Sequence, residues 1–341
     1  MGLWPLIAER SVEAHASGAL YRIESEPHYV TDQGVEFAVR LATDFARQVA
    51  TMPRNRPGSN PFLPPEPALY LGDVSPTHYA LLNKYHVIEN HLLVVTREYV
   101  DQEVLLDLAD FEALVASLPD EMPAIGFYNG GHGSGASQAH KHLQVVTLPL
   151  SPRASIPMAA RIESGDLPFL HAVARLAPGE ALAPRALHAA YREVLAQAGI
   201  AAVPREGREW QSAPYNLLIT RAWMLLVPRS PDTFERVAIN ALAFAGAFFV
   251  REPEQLEAVR RLGPMNVLAH AGKPDPDPPP TAPQRPEPMQ CCGRGCDPCI
   301  YDLYEDALAR YERELEKWRA RGSRGGGQGT TMGRPSNEPG R

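Results

Sequence analysis

The chain has 341 residues, 44% of them hydrophobic and 21% charged, and a formal net charge of −7 at pH 7. That supplies apolar material for one large domain with an appendage, and the acidic balance excludes a general nucleic-acid-binding surface, which needs a basic face. Met1 to Gly18 lacks the build of a signal peptide and no stretch approaches the roughly 18 apolar residues of a membrane span, so the expectation is a soluble, cytoplasmic protein with no membrane partner.

In chain order, "PALYLGD" (Pro67–Asp73), "YALLNKYHV" (Tyr79–Val87) and "HLLVVT" (His91–Thr96) read as strands, with a hairpin turn at Glu89-Asn90. A helix is expected over Leu105–Leu118. It is followed by strands at "AIGFYN" (Ala124–Asn129) and "HKHLQVVTL" (His140–Leu148). Arg185–Ala198 reads as a helix with Leu187, Tyr191, Val194 and Leu195 on one face. Strands "YNLLIT" and "WMLLVP" (Tyr215–Pro228) come next, and then two helical segments spanning Val237–Arg261. Strands that follow one another without intervening helices favour an α+β fold, an antiparallel sheet with helices on one side.

Composition divides the chain into a main domain over 1–272, a proline-rich linker over 273–290 with eight prolines, a cysteine-rich module over 291–321 and a glycine-rich tail over 322–341 expected to be disordered. All four cysteines, Cys291, Cys292, Cys296 and Cys299, fall in the module. The main body therefore has no covalent staples, as in intracellular proteins. In the helical stretch after the cysteines, Tyr304, Leu308, Tyr311, Leu315 and Trp318 form a 4-3-4-3 apolar stripe suited to packing on the body or on a protein partner.

The chemistry concentrates in "GASQAHKHLQ" (Gly135–Gln144). A strand here has period two, so His140, His142, Gln144 and Val146 share one face while Lys141, Leu143 and Val145 take the other. Upstream, Gly130, Gly131, Gly133 and Gly135 form a loop whose amides can turn inward on an anion, with Ser134, Ser137 and Gln138 as further donors. Three readings stand side by side. The histidines are alternating core or surface residues; or His140 and His142 are two ligands of a zinc site lacking a good third; or one imidazole attacks a phosphorus atom, being neutral near pH 7 and needing no base to activate it.

"GASQAHKHLQ" resembles the signature of the diadenosine tetraphosphate phosphorylases (ATP adenylyltransferases), in the nucleotidyltransferase branch of the histidine-triad (HIT-like) superfamily. "FAVR" (Phe37–Arg40), "NPFLPPEP" (Asn60–Pro67), "SPTHYALLNKYHVIENHLLVVTREY" (Ser75–Tyr99), "FYNGG" (Phe127–Gly131) and "YNLLITRAWMLLVPRS" (Tyr215–Ser230) agree with it, so the likeness spans about residues 10–270. The resemblance implies a HIT-like antiparallel sheet flanked by helices, and cleavage of diadenosine tetraphosphate by phosphate to ATP and ADP through adenylyl-His142. It implies that His140 supports the phosphate or the geometry and that Gln144 hydrogen-bonds the phosphate. Asn83 and Lys84 match positions near the nucleotide. Asn129, Gly135, Ala136, Ser137 and Gln138 match phosphate and ribose contacts, and Thr220, Met224 and Arg229 match an adenosine-side segment. A divalent cation, magnesium, is implied as shielding for the polyphosphate. Each position also has a structural reading: Lys84 as a strand-end charge, Met224 as core, Arg229 as a surface residue before a turn, Asn83 as a turn cap. His86 departs from the family pattern beside the base pocket, and Arg47 is the candidate for an early family lysine.

"CCGRGCDPCIYDLY" resembles the short oxidoreductase-like module, and its thiolates could hold zinc or an iron–sulfur cluster through Cys291, Cys292, Cys296 and Cys299. The sister reactions are phosphorolysis of adenylyl sulfate and uridylyl transfer to a sugar phosphate. The rival of another class is a non-catalytic dinucleotide sensor or scaffold working through the cysteine module.

Overall fold

A computed structural model describes residues 3–51, 60–119, 122–176, 182–230, 234, 236–277, 280, 283, 285–287 and 298–325. The chain divides into two units, Met1–Pro276 and Asp277–Arg341.

The first unit opens with helix α1 (Leu3–Ala16) and continues through strands β1 (Tyr21–Arg22), β2 (Ser25–Asp32) and β3 (Val35–Ala42) to the short helix α2 (Phe45–Thr51). Strands β4 (Tyr70–Asp73), β5 (His78–Leu82), β6 (Tyr85–His86) and β7 (Leu92–Thr96) lead to α3 (Leu108–Ser117), β8 (Ala124–Gly130) and β9 (His142–Thr147). After α4 (Ala159–Ser164), β10 (Ala172–Arg175) and α5 (Pro184–Gln197) come β11 (Ala202–Arg205), β12 (Arg208–Gln211), β13 (Tyr215–Ile219) and β14 (Trp223–Pro228). The unit closes with α6 (Ala241–Phe244), β15 (Ala247–Val250), α7 (Pro253–Leu262) and α8 (Pro264–Ala271).

Eight strands form the main sheet in the order β10-β14-β13-β8-β9-β7-β5-β4, antiparallel throughout. Its strands are apolar on both faces, and the sheet divides two cores. Tyr128, Leu143, Val145, Leu217 and Met224 pack with Ile7 of α1, Phe111 and Leu114 of α3 and Tyr191 of α5. Ile125, Phe127, Val146, Leu218 and Leu225 pack on the opposite side with Phe37, Val39 and Phe248, and with Met158, Ile162 and Leu268. The expectation of helices on one side is thus corrected: a three-stranded sheet, β15-β3-β2, backed by helices covers the second face. This second layer was hard to read because β2, "SEPHYVTD", is mostly half-buried or exposed and lacks clean alternation.

Two other differences have local causes. Helix α3 starts at Leu108 and not Leu105, because Asp107 caps it: its side chain accepts from the Asp110 N–H, and the Asp110 carboxylate accepts from the Asp107 N–H. The apolar segment over Val237–Arg261 is interrupted by β15, since Gly246 adopts φ +95 and ends α6, and "AFFV" then pairs with β3. The expected hairpin closes on a different partner, for β7 pairs with β5 while Tyr85–His86 forms a parallel pair with Tyr21–Arg22.

In the second unit helix α9 (Ile300–Gly325) carries the 4-3-4-3 stripe along one side, and the Trp318 indole N–H donates to the Asp277 carbonyl at 2.6 Å. Cys291, Cys292 and Cys296 lie outside the described residues, so no ligand set can be assigned to them; Cys299 is a free, half-buried thiol just before α9.

Candidate active site

Strand β9 lies between β7 and β8, with Gln144 opposite Leu93 on one side and Phe127 on the other. The period of two holds. His142 and Gln144 line a cavity of about 650 Å³, while Lys141 is buried on the opposite face against Asp110. Beyond the Phe127–Gln144 pair, β8 and β9 diverge, and Gln102 bridges the gap. Its Oε1 accepts from the His142 N–H at 2.8 Å, and its Nε2 donates to the carbonyls of Asn129 and His142. Gln102 therefore holds the His142 backbone at both its N–H and its carbonyl and ties it to Asn129 of β8.

The His142 ring is fixed in the same way. Nδ1 lies 2.8 Å from the His140 carbonyl, an acceptor only, so the ring's proton sits on Nδ1 and donates there. Burial pushes the imidazole down to about 4, and at neutral pH the ring is uncharged. Nε2 then carries a lone pair on a residue that lines the cavity. This is the state an imidazole nucleophile needs. The Phe62 ring packs against His142 and His140, with centroids 5.3 and 5.6 Å away.

His140 does not line the cavity. Its Nε2–H faces the carbonyls of Thr96 and Glu98 at 2.9 and 3.1 Å, and its Nδ1 accepts from Asn60 Nδ2 at 2.9 Å. Its contribution is geometric, through the carbonyl that sets the His142 tautomer.

Gln144 is oriented by a residue the sequence reading passed over. Asn83 Nδ2 donates to His91 Nδ1 at 3.0 Å, and His91 Nε2–H donates to Gln144 Oε1 at 2.8 Å. Burial holds His91 neutral, down to about 4, so it has one proton and must pass it to Gln144. The Gln144 amide is thereby turned with its oxygen to His91, which leaves Nε2–H₂ as the end available to an anion.

Asn129 follows the same logic. Its Oδ1 accepts from Asn216 Nδ2 at 2.8 Å and from the Ala241 N–H at 2.9 Å, which reserves its Nδ2 for the cavity it lines. The glycine loop begins just after it. Gly131 at φ +86 and Gly135 at φ +92 flank a 3-10 turn over His132–Ser134. A Cβ on Gly135 would lie 2.8 Å from the Ile239 carbonyl, so no larger residue fits that approach. Gly135, Ser137 and Gln138 line the cavity; Ala136 is buried beneath it, and the Ser134 hydroxyl donates to Gly131 within the loop and is no donor to a ligand.

Asn83 and Lys84 also line the cavity, Lys84 with its ammonium 2.8 Å from Glu66. The adenosine-side segment does not. Thr220 closes the β13–β14 turn through its hydroxyl, bonded to Trp223, and Met224 is fully buried in the core beneath the sheet. Arg229 is buried and not a surface residue: it donates to Asn216 Oδ1 and to the carbonyls of Ile239 and Ala271, so it reaches Asn129 only through Asn216. Both faces of β14 are covered by the two cores, so an apolar strand here presents no residue to the cavity. Arg47 is exposed beside Asp44, and His86 is buried against the His15 ring and kept neutral at about 4, away from the cavity lining.

Comparison with known proteins identifies the family. Residues 1–164 match the Ap4A phosphorylase N-terminal domain, residues 165–274 the ATP adenylyltransferase C-terminal domain, and residues 278–320 the oxidoreductase-like protein N-terminal module. The chain is 26% identical over 277 residues to diadenosine 5',5'''-P1,P4-tetraphosphate phosphorylase 2 of Saccharomyces cerevisiae, covering 68% of this chain and 80% of that one. It is 27% identical over 228 residues to Protein APA1 of the same yeast, covering 58% and 70%. The crystal structure of yeast Ap4A phosphorylase Apa2 superposes with a TM-score of 0.64 at 26% identity, over 83% of this chain and 96% of that one. A separate 30-residue stretch is 60% identical to part of the human NADH-cytochrome b5 reductase-like protein, 10% of that protein's length. With the N- and C-terminal domain matches running consecutively over residues 1–274, the chain belongs to the Ap4A phosphorylase (ATP adenylyltransferase) family.

Proposed function

We propose that the protein is a nucleotidyltransferase that cleaves diadenosine tetraphosphate with inorganic phosphate to give ATP and ADP. The observation that carries the mechanism is the His142 ring, neutral, with its proton committed to the His140 carbonyl and Nε2 free. Nε2 attacks the α-phosphorus of one adenosine, a P–N bond forms, and the P–O bond to the departing ATP breaks. Phosphate then attacks the same phosphorus; the new P–O bond gives ADP, and the P–N electron pair returns to the ring. Gln144 Nε2–H₂, Asn129 Nδ2 and the glycine-loop amides stabilise charge on the non-bridging oxygens, each donor contributing roughly 3–4 kcal/mol by analogy with oxyanion holes. A divalent cation would enter with the polyphosphate substrate, whose phosphate oxygens are ligands suited to it.

The test is incubation with diadenosine tetraphosphate in the absence of phosphate, followed by intact-mass analysis. A gain of one AMP, lost when phosphate is added, is expected. His142→Ala should show no adduct and lose phosphorolysis by on the order of 10⁴-fold or more. Phosphorolysis within a few-fold of wild type in that variant would sink the mechanism.

A further inference from the structure

Besides Lys84, two further cationic residues line the cavity, Arg40 and Arg251. The wall that carries them is built by β3 and β15, which pair in parallel with Arg40 opposite Phe249. Ala38 and Arg40 on one strand, and Ala247 and Phe249 continuing to Arg251 on the other, follow the period of two and all line the cavity. Arg40 and Arg251 therefore rise from the same face of this small sheet. The Arg251 guanidinium lies 5.1 Å from the centre of the Phe45 ring, and Phe45 packs edge-on against Phe249 at 6.3 Å.

Neither guanidinium has a carboxylate partner among the described residues, and Arg40 has no side-chain hydrogen bond there either. Lys84, which lines the same cavity, is already neutralised by Glu66. Two unpaired like charges on neighbouring strands repel one another. The arrangement is relieved by an anion with several oxygens, which two guanidinium forks can each engage through paired N–H donors. In a chain with a net charge of −7, such a pair in the cavity that His142 also lines suits the binding of a phosphate anion.

We infer that Arg40 and Arg251 form an anion subsite for the phosphate groups beyond the scissile bond, first the terminal phosphates of the departing ATP and then the inorganic phosphate that takes their place. The inference rests on the phosphorolysis reading above. Displacement in line requires the leaving oxygen to depart opposite His142 Nε2, and the oxygen that later breaks the P–N bond must arrive along that same direction. One subsite therefore serves both half-reactions. It also selects a phosphate dianion over water as acceptor, because water gives the guanidiniums nothing to neutralise. ATP and phosphate should accordingly compete for it.

The test uses the full chain with Arg40→Gln, Arg251→Gln, the double variant and Arg40→Lys, and two measurements. The first is calorimetric titration with inorganic tripolyphosphate, which needs no turnover. The second is KM for phosphate in phosphorolysis. Each Gln variant is expected to weaken tripolyphosphate binding and raise KM for phosphate by at least about tenfold, with more in the double variant and partial recovery in Arg40→Lys. Arg251 is exposed, so its variant tests the idea even if Arg40→Gln folds poorly. Unchanged affinity and unchanged KM in a folded double variant would overturn the subsite while leaving the activity intact, and failure of the wild type to bind tripolyphosphate would overturn it too. Tripolyphosphate binding that depends on both arginines, without phosphate-dependent turnover in the wild type, would support the subsite and defeat the activity reading instead.

Discussion

Strand β9 and Lys141 just before it carry polar groups on opposite faces, and the two sets are finished in opposite ways. Toward the cavity, His142 and Gln144 each have one side tied to protein and one left open. Toward the helices, Lys141 is closed. Its ammonium donates to the Leu105 carbonyl at 2.9 Å and to Asp110 Oδ2 at 2.8 Å, and the other Asp110 oxygen lies 3.0 Å from His78 Nε2. Burial alone would raise the Asp110 carboxyl, but the Lys141 cation and the His78 hydrogen bond outweigh it and hold the group at about 2. Alternation delivers both faces from one short sequence. What separates a structural polar cluster from a reactive one is whether every donor and acceptor is satisfied by the protein.

The comparison breaks most visibly at Lys141. Lys141→Met leaves Asp110 buried without its cation, and the expected cost is about 3–5 kcal/mol in urea unfolding. The folded fraction should keep its kcat, because the cavity face is untouched. A stable variant with lost activity would reverse the assignment of the two faces.

Acid sharpens the contrast. Burial holds His142 at about 4, against 6.5 for a free imidazole, so the unfolded chain binds a proton that the folded one refuses. Stability from this group is therefore complete above pH 6.5 and falls as pH drops to about 4. His142→Asn should flatten that fall by on the order of 2 kcal/mol. Asp110 acts lower: its contribution is present above 3.8 and is lost as pH falls toward about 2. Denaturant titrations at stepped pH separate the two windows, and an unchanged slope in His142→Asn would show that the ring is not held neutral.

A smaller effect is expected at His91. Replacing it by Ala frees the Gln144 amide to turn, and kcat should fall roughly 10–100-fold with little change in KM, as for other residues that orient a reacting group. An unaltered kcat would mean that the Asn83–His91–Gln144 relay plays no part. Smallest of all is Met224→Leu, a core substitution costing under about 1.5 kcal/mol with no change in KM for the dinucleotide. A raised KM would return Met224 to the site.

Local pattern made much of the site legible. The period of two put His142 and Gln144 together, the glycines marked the loop with Ser137 and Gln138, and the family resemblance added Asn83, Lys84 and Asn129; all of the last five, with Gly135, line the cavity. His91 stood in a strand already identified, yet nothing in "ENHLLVVT" says that its ring meets Gln144, 53 positions on. Arg40 lay inside a quoted motif without a role because its strand was not seen. Thr220, Met224 and Arg229 do not line the cavity, because family position does not reveal that both faces of β14 and the turn before it are packed into the cores.

By itself the sequence determined the strands of the main sheet other than β10, the two faces of β9 and the identity of the groups on each, since alternation and turn chemistry are local properties of the backbone. Only the tertiary structure decided which groups are satisfied and which are left open. That depends on long-range partners (His91 for Gln144, Gln102 for the His142 backbone, Arg229 through Asn216 for Asn129) and on the β3–β15 layer that closes the cavity. Hydrogen-bond saturation is a property of neighbours in space, and spacing along the chain does not record it.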